Sequence, residues 1–408
     1  MSVGRRWRST CPGKPPKSGP QEAPFVMHII RNSCMAIVLS LFGGLAPAQP
    51  AAGVDQKKVD TAVDRAGDFL LNRLKGEKLS VWLWGGKTSE GSRADELVLY
   101  TLLYAGAPKN HPDFQKVLDR VLHRGHVDVY RTAMCAMLLS ELDREKHQAR
   151  IALCAQFLVD AQCANGQWGY DGPAVAAPSA APPEPATTLS VSAAPAGKPA
   201  GGANRSATRA LKPVAVKRQK TGATAGNNST TQIALLGLRA CLEANVRIPN
   251  ATLALAEQFW RKNQNDDGGW GYGDQGAKGG SYGSMTAGAV GSLAICDYYQ
   301  RKDPKSDRDL IRGAKWFEEA SHWSLDHNPN LPQYHHYYWF YALERAGVLV
   351  GTKTIANRNW YDEGAAWLLA KQAGEGHWNN PEWIEDTCWA VLFLRRATRP
   401  LTKVYSVQ

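Results

Sequence analysis

The chain has 408 residues, 44% of them apolar and 21% charged, with a formal net charge of +11. This length and apolar content exclude a disordered or fibrous chain and leave a globular one able to bury one large core. The charge does not mark a nucleic-acid-binding fold: residues 1–48 carry +5 and residues 173–225 carry +6, so everything else is neutral.

The first 48 residues read as a leader. A basic tail of 26 residues precedes Met27. Met27 to Arg31 forms a short positive region, Met35 to Leu45 an apolar stretch, and Ala46-Pro47-Ala48 a small-x-small cleavage site. The apolar stretch is too short for a permanent span. These features predict an exported chain whose mature form starts near Gln49. Removal of Cys11 and Cys34 with the leader leaves Cys135, Cys154, Cys163, Cys241, Cys296 and Cys388. Most of these lie in apolar helical stretches, where a small buried thiol is the ordinary state, and no disulfide is expected.

From residue 54 to residue 400 the chain alternates two kinds of helix. Amphipathic runs are expected at 59–74, 150–161, 251–262, 309–320 and 361–370. Between them lie six segments that are apolar nearly all round, whose starts align on Asp95, Thr132, Thr230, Thr286, His336 and Thr387. Threonine at four starts suits a helix N-cap, since its hydroxyl accepts from an unpaired backbone N–H. Three loops share the spacing Q-x3-G-x-W: Gln162, Gly166, Trp168; Gln264, Gly268, Trp270; and Gln372, Gly376, Trp378. In each, an apolar residue stands four positions before the glutamine: Leu158, Trp260 and Leu368. One spacing met three times is an internal repeat, here a helical hairpin of roughly 45–55 residues. The pair Asp266 and Asp267 occupies the variable middle of one such loop and reads as turn chemistry rather than a metal ligand set.

Residues 173–225 interrupt this pattern with an Ala/Pro-rich and then basic tract that lacks aromatic residues. Such a composition predicts a disordered insert within the repeat array. Its 205–220 stretch is the one place where contact with an anionic polymer or membrane is expected. Residues 401–408 form a short tail.

The Q-x3-G-x-W loops between alternating helices resemble the squalene–hopene cyclase and protein-prenyltransferase superfamily. The stretches YYWFYALERAG, NWYDEGAAWLLAKQ and DTCWAVLFLRRA are similar to secreted bacterial members whose chemistry is uncharacterised. The resemblance spans about residues 55–400 outside the insert. It implies an all-α, (α/α)6 toroid with an inner and an outer helix ring, a central cavity, and a structural role for the loop glutamines and tryptophans.

The chemistry implied by that resemblance is incomplete in this sequence. A cyclase of this type uses a D-x-D-D acid, and no D-x-D-D occurs. A prenyltransferase holds zinc through D-x-C and a distant His. Asp386 and Cys388 match D-x-C at a helix start, with His335 and His336 at the start of the preceding apolar helix, and His336, Asp386 and Cys388 form the candidate zinc set. No other cofactor is expected. The alternative for these residues is an N-cap, a buried thiol and polar lining. Asp95, Glu96, Glu385 and Asp386 are candidate acid–base carboxylates, with His335 and His336 as further catalytic candidates. Trp82, Tyr282, Tyr334, Tyr337 and Trp383 are expected to line the cavity mouth. The leading expectation is a monomeric ring that binds a small hydrophobic or glycan ligand and no nucleic acid. A zinc-assisted transferase, a cyclase-like enzyme, or a carbohydrate lyase or hydrolase is the alternative.

Overall fold

The computed structural model describes residues 53–76, 79, 94–175, 211–273 and 280–401. The leader, Trp82, residues 176–210 and most of the tail lie outside them. The described residues are all-α in character, with four short strands of at most five residues. The twelve helices are α1 (Gln56–Lys75), α2 (Asp95–Tyr104), α3 (Pro112–His123), α4 (Val129–Asp143), α5 (Gln148–Ala161), α6 (Asn228–Glu243), α7 (Asn250–Lys262), α8 (Gly283–Tyr299), α9 (Arg308–Lys315), α10 (His336–Val350), α11 (Trp360–Lys371) and α12 (Ile384–Leu394). None of the described helices is long and apolar enough to cross a membrane.

Even-numbered helices are buried on nearly every side, as their unbroken apolar runs require, and odd-numbered ones mostly bury a single stripe. Among the even set, α2 packs on α4, α4 on α6, α6 on α8, α8 on α10, α10 on α12 and α12 on α2. Close packing depends on glycines in this set: a Cβ at Gly237 of α6 would stand 2.6 Å from Ala133 Cα of α4. The middle of the set is filled by large side chains. Arg345 is fully buried, its guanidinium 3.9 Å above the Tyr341 ring and 2.5 Å from Gln232 Oε1, while Tyr341 stacks on Trp389 at 4.7 Å.

Each of the three loops is held by the same bonds. Trp168, Trp270 and Trp378 are fully buried. Their indole N–H groups donate to the carbonyls of Leu158, Trp260 and Leu368 at 2.7, 2.9 and 2.8 Å, capping open ends of the preceding odd helices. Gln162, Gln264 and Gln372 donate through Nε2 to Thr252 of α7, Asp309 of α9 and Ala62 of α1 at 2.9, 2.9 and 2.7 Å. Each loop is thereby tied to another odd helix, and the third tie joins the loop after α11 to α1. Gly166, Gly268 and Gly376 have φ of +100, +93 and +96°, a region that disfavours any Cβ. At Gly376 a Cβ would also stand 2.3 Å from the Arg65 carbonyl of α1. Asp267 accepts from Gly269 N and Ser281 Oγ through Oδ1 and from Trp316 Nε1 through Oδ2, so this acid is loop scaffolding.

Four sequence expectations need correction. The threonines are not N-caps; Asp128, Asn227, Tyr282 and Trp383 occupy those positions at α4, α6, α8 and α12. Thr231, Thr286 and Thr387 lie inside the first turn, where their hydroxyls accept the backbone N–H of Trp168, Trp270 and Trp378. The helix α3 was not anticipated, and it packs on α1 and α2. The run expected at 309–320 ends early, at Lys315, and continues as two 3-10 turns, Trp316–Glu318 and Ala320–His322.

The fourth correction concerns the insert, which is not disordered at either described end. Residues 171–175 form β2, which pairs antiparallel with β1 (His126–Asp128). Val214–Ala215 (β3) pairs with Val246–Arg247 (β4), and the chain then runs extended along α5. Gln148 and Gln156 donate to the carbonyls of Lys212 and Lys217, and Asp160 accepts from the N–H of Gln219 and Lys220. A segment too polar to build a core is ordered here because one helix face satisfies its backbone. Arg218 donates to Gln162 Oε1, so this member of the basic stretch is committed inside the fold.

Candidate functional site

Side chains in the first turns of α4, α6 and α10 bond to one another. The Tyr130 hydroxyl of α4 lies 2.6 Å from Ser229 Oγ of α6 and 3.2 Å from the Tyr338 hydroxyl of α10. Tyr170 and Tyr272, each two residues beyond a loop tryptophan, share a 2.6 Å hydroxyl bond, and Tyr170 stacks against Tyr130 at 6.3 Å. Tyr282 at the start of α8 is near both Tyr338 and Tyr170, and burial raises its hydroxyl pKa. A buried amide relay supports this arrangement from below. Gln167 donates to Asn228 Oδ1 and Gly273 O at 2.9 Å, and Asn228 donates to Gly271 O at 2.8 Å.

Asp128 lies near Tyr170, and Glu96 lies near Asp128. Burial pushes Glu96 of α2 up to about 7, with Arg124 opposing the rise and Asp95 adding to it. Its oxygens lie 3.3 Å from Arg124 and 3.5 Å from Arg131. Burial likewise raises Asp128 to about 7, reinforced by Glu96 and Asp171, although its Oδ1 caps α4 by accepting from Arg131 N at 2.7 Å. Both groups exchange a proton near neutrality, in a setting of hydroxyls and arginines.

Among the described residues, five large apolar side chains are exposed. Val127, Tyr334 and Trp383, with 56, 52 and 40% of their surface open, stand just before α4, α10 and α12, and Tyr272, with 38%, accepts through its carbonyl from Asn228 N at the start of α6. The fifth is Ile311, on α9. Three exposed rings and the exposed Tyr170–Tyr272 hydroxyl pair therefore lie near helix starts, whereas Tyr130 and Tyr338 are buried.

The sequence-derived candidates separate on this geometry. Tyr334 and Trp383 are exposed just before α10 and α12; Tyr282 and Tyr337 are buried, so they line no open mouth. His335 starts α10 with φ of +56° and is exposed. Asp95 is fully buried and held by Arg120 at 3.0 and 3.2 Å and by Arg124 at 2.7 Å, which makes it a lock between α2 and α3. Glu385 is buried at the start of α12.

The zinc set does not assemble. His336 Nε2 donates to Leu325 O at 2.9 Å and its ring meets Trp367; burial lowers its pKa, leaving it neutral. Asp386, raised by burial to about 6, accepts from Asn379 at 2.8 Å. Cys388 is fully buried and faces Thr101 of α2, burial holding its thiol protonated. Among the described residues, no group of three His, Cys, Asp or Glu side chains is placed to hold a metal ion.

Sequence reasoning missed Tyr130, Tyr170, Ser229, Tyr272, Tyr338 and Asp128. One signal was present: the tripeptide W-G-Y closes two of the three loops, at 168–170 and 270–272, and its tyrosines are the pair that bond. No protein-family model and no curated protein matches this chain.

Proposed function

We propose that this chain is an exported (α/α)6 toroid, its even helices inside and its odd helices outside, that binds a glycan across the rim where the inner helices begin. The ring is supported by the packing order, which returns from α12 to α2, and by the bond from Gln372 to Ala62 of α1. Export rests on the tripartite leader pattern. The fold reading keeps the resemblance to the cyclase and prenyltransferase superfamily; the D-x-D-D acid of cyclase chemistry is absent.

The observation that carries the ligand class is the set of exposed rings near the helix starts with the exposed Tyr170–Tyr272 hydroxyl pair. Aromatic faces stack on the apolar faces of sugar rings, and hydroxyls pair with sugar hydroxyls. Calorimetric titration of the full chain against a panel of neutral and acidic oligosaccharides tests this. One saturable ligand is expected, and Tyr334→Ala with Trp383→Ala should weaken it by about tenfold or more, each stacked ring contributing about 1 kcal/mol. No saturable oligosaccharide, or binding that ignores the two rings, would sink the reading.

Glu96 and Asp128 favour one second reading, in which the bound glycan is also cleaved. Groups that titrate near 7 suit general acid–base work. Release of reducing or unsaturated ends from the bound oligosaccharide, abolished in Glu96→Gln, is its signature.

A further inference from the structure

A groove of about 420 Å³ opens on the outer side of the fold, away from the rim, between α9 and the turn after α10. It exists because α9 is short. That helix has 8 residues where α7 and α11 have 13 and 12, and a 3-10 turn continues it. The apolar lining has a buried floor of Val290, Leu310, Phe317 and Ile355, with half-buried Val350 and exposed Ile311 reaching the opening. Among the described residues, Ile311 is the one exposed large apolar side chain that is not near the start of an even helix.

The lining also carries charge. Lys305 and Lys315 line it, both exposed, and neither ammonium has an ion-pair partner among the described residues; Glu318 is the single acidic side chain in the lining. The turn that forms the far wall places Ala356 at φ of +54° and Asn357 at +59°, closed by paired bonds between Ile355 and Arg358 at 3.1 and 3.0 Å. A wall built on a left-handed alanine is held by its surroundings and is not a slack loop.

We infer that this groove binds a free single-chain anionic amphiphile, such as a fatty acid, with its chain along Ile311 and Val350 and its carboxylate between Lys305 and Lys315. The volume falls within the range of small-ligand sites. An uncharged apolar ligand would leave two cations on the border unused, whereas a carboxylate complements them.

Calorimetric titration of the full chain with dodecanoate below its micellar concentration tests the assignment. One saturable site per chain is expected. Ile311→Asp should abolish it, and Lys305→Ala with Lys315→Ala should weaken it about tenfold while leaving Tm unchanged, since all three side chains are exposed. The lysine pair keeps the test open should Ile311→Asp fail to fold. Added salt should weaken binding of the parent more than of the lysine variant. Absence of saturable binding, affinity unaffected by either variant, or equal affinity for neutral dodecyl maltoside would each overturn the inference. So would recruitment to anionic lipid vesicles without binding of monomeric dodecanoate, which points to a membrane surface instead.

Discussion

The two ends of the even helices are closed by different chemistry. At the starting rim the cross-helix contacts are hydroxyl to hydroxyl: Tyr130 with Ser229 and Tyr338, and Tyr170 with Tyr272. At the finishing end they include charge-assisted bonds from Arg239 and Arg399 and involve the residues that follow α12. Glu344 accepts from Thr398 N at 3.0 Å and Thr398 Oγ1 at 2.7 Å; Arg239 donates to the carbonyls of Arg399 and Pro400 and pairs with Glu243; Arg399 pairs with Glu141. A cavity of only about 40 Å³ remains there, walled by Tyr100, Tyr104, Arg239 and Tyr341. Charged bonds to buried groups are expensive to leave unmade, whereas neutral hydroxyl pairs exchange with water or ligand at little cost. The finishing end is therefore built for closure, and the starting rim for contact.

The largest expected effect comes from unsealing the closed end. A chain ending at Ala397 would leave Glu344 and Arg239 buried without their Thr398, Arg399 and Pro400 partners. Stability should fall by about 4 kcal/mol, read as a lower urea midpoint with an unchanged slope. A midpoint close to that of the full chain would erase the contrast between the ends.

The next effect is a pH dependence that both ends share in unequal measure. Burial raises Glu344 to about 7 from its ordinary 4.5, opposed by the Thr398 bonds and by Arg345 and Arg239. The folded chain thus holds a proton that the unfolded chain releases above 4.5. The associated stability is complete below 4.5 and is lost as pH rises through about 7. Glu96 and Asp128 act in the same direction at the other end. Glu344→Gln keeps a neutral group of the same shape, so it should remove that loss, about 3 kcal/mol, while leaving stability at acidic pH nearly unchanged. Thermal unfolding across this range measures it. A Glu344→Gln profile as steep as the parent's would show that this acid is ionised throughout.

Much of the frame was legible because it repeats. The interval from loop tryptophan back to Leu158, Trp260 or Leu368 is fixed by a single hydrogen bond, and the loop glycine by a positive φ. A spacing enforced by one bond survives in sequence. Helix α3 escaped notice because the loop after it, Arg124 and Gly125 before His126, has no tryptophan to mark it. The course of residues 211–225 was misread because its order comes from Gln148, Gln156 and Asp160 on a different helix, which composition cannot reveal. The rim was least legible of all. Tyr130 meets Ser229 across 99 residues and Tyr338 across 208, and neither pairing follows from any local pattern. The D-x-C motif misled for the opposite reason: two positions apart on α12, Asp386 turns to Asn379 and Cys388 to α2.

The smallest stability effects should come from the rim, and they decide whether the contrast is functional. Tyr130→Phe removes a buried hydroxyl shared by Ser229 and Tyr338, at an expected cost of about 1 kcal/mol; Tyr170→Phe removes a more exposed one, at about 0.5 kcal/mol or less. Both rings remain in place, so stacking and packing are preserved. If the hydroxyl network exists chiefly to hold the helices together, Tyr130→Phe should lower the urea midpoint by clearly more than that cost implies. If the exposed Tyr170–Tyr272 pair meets a ligand, Tyr170→Phe should barely move the midpoint while oligosaccharide affinity falls by about tenfold. Stability and affinity measured on the same two variants separate these outcomes, because a scaffold bond and a binding bond at one atom leave opposite signatures.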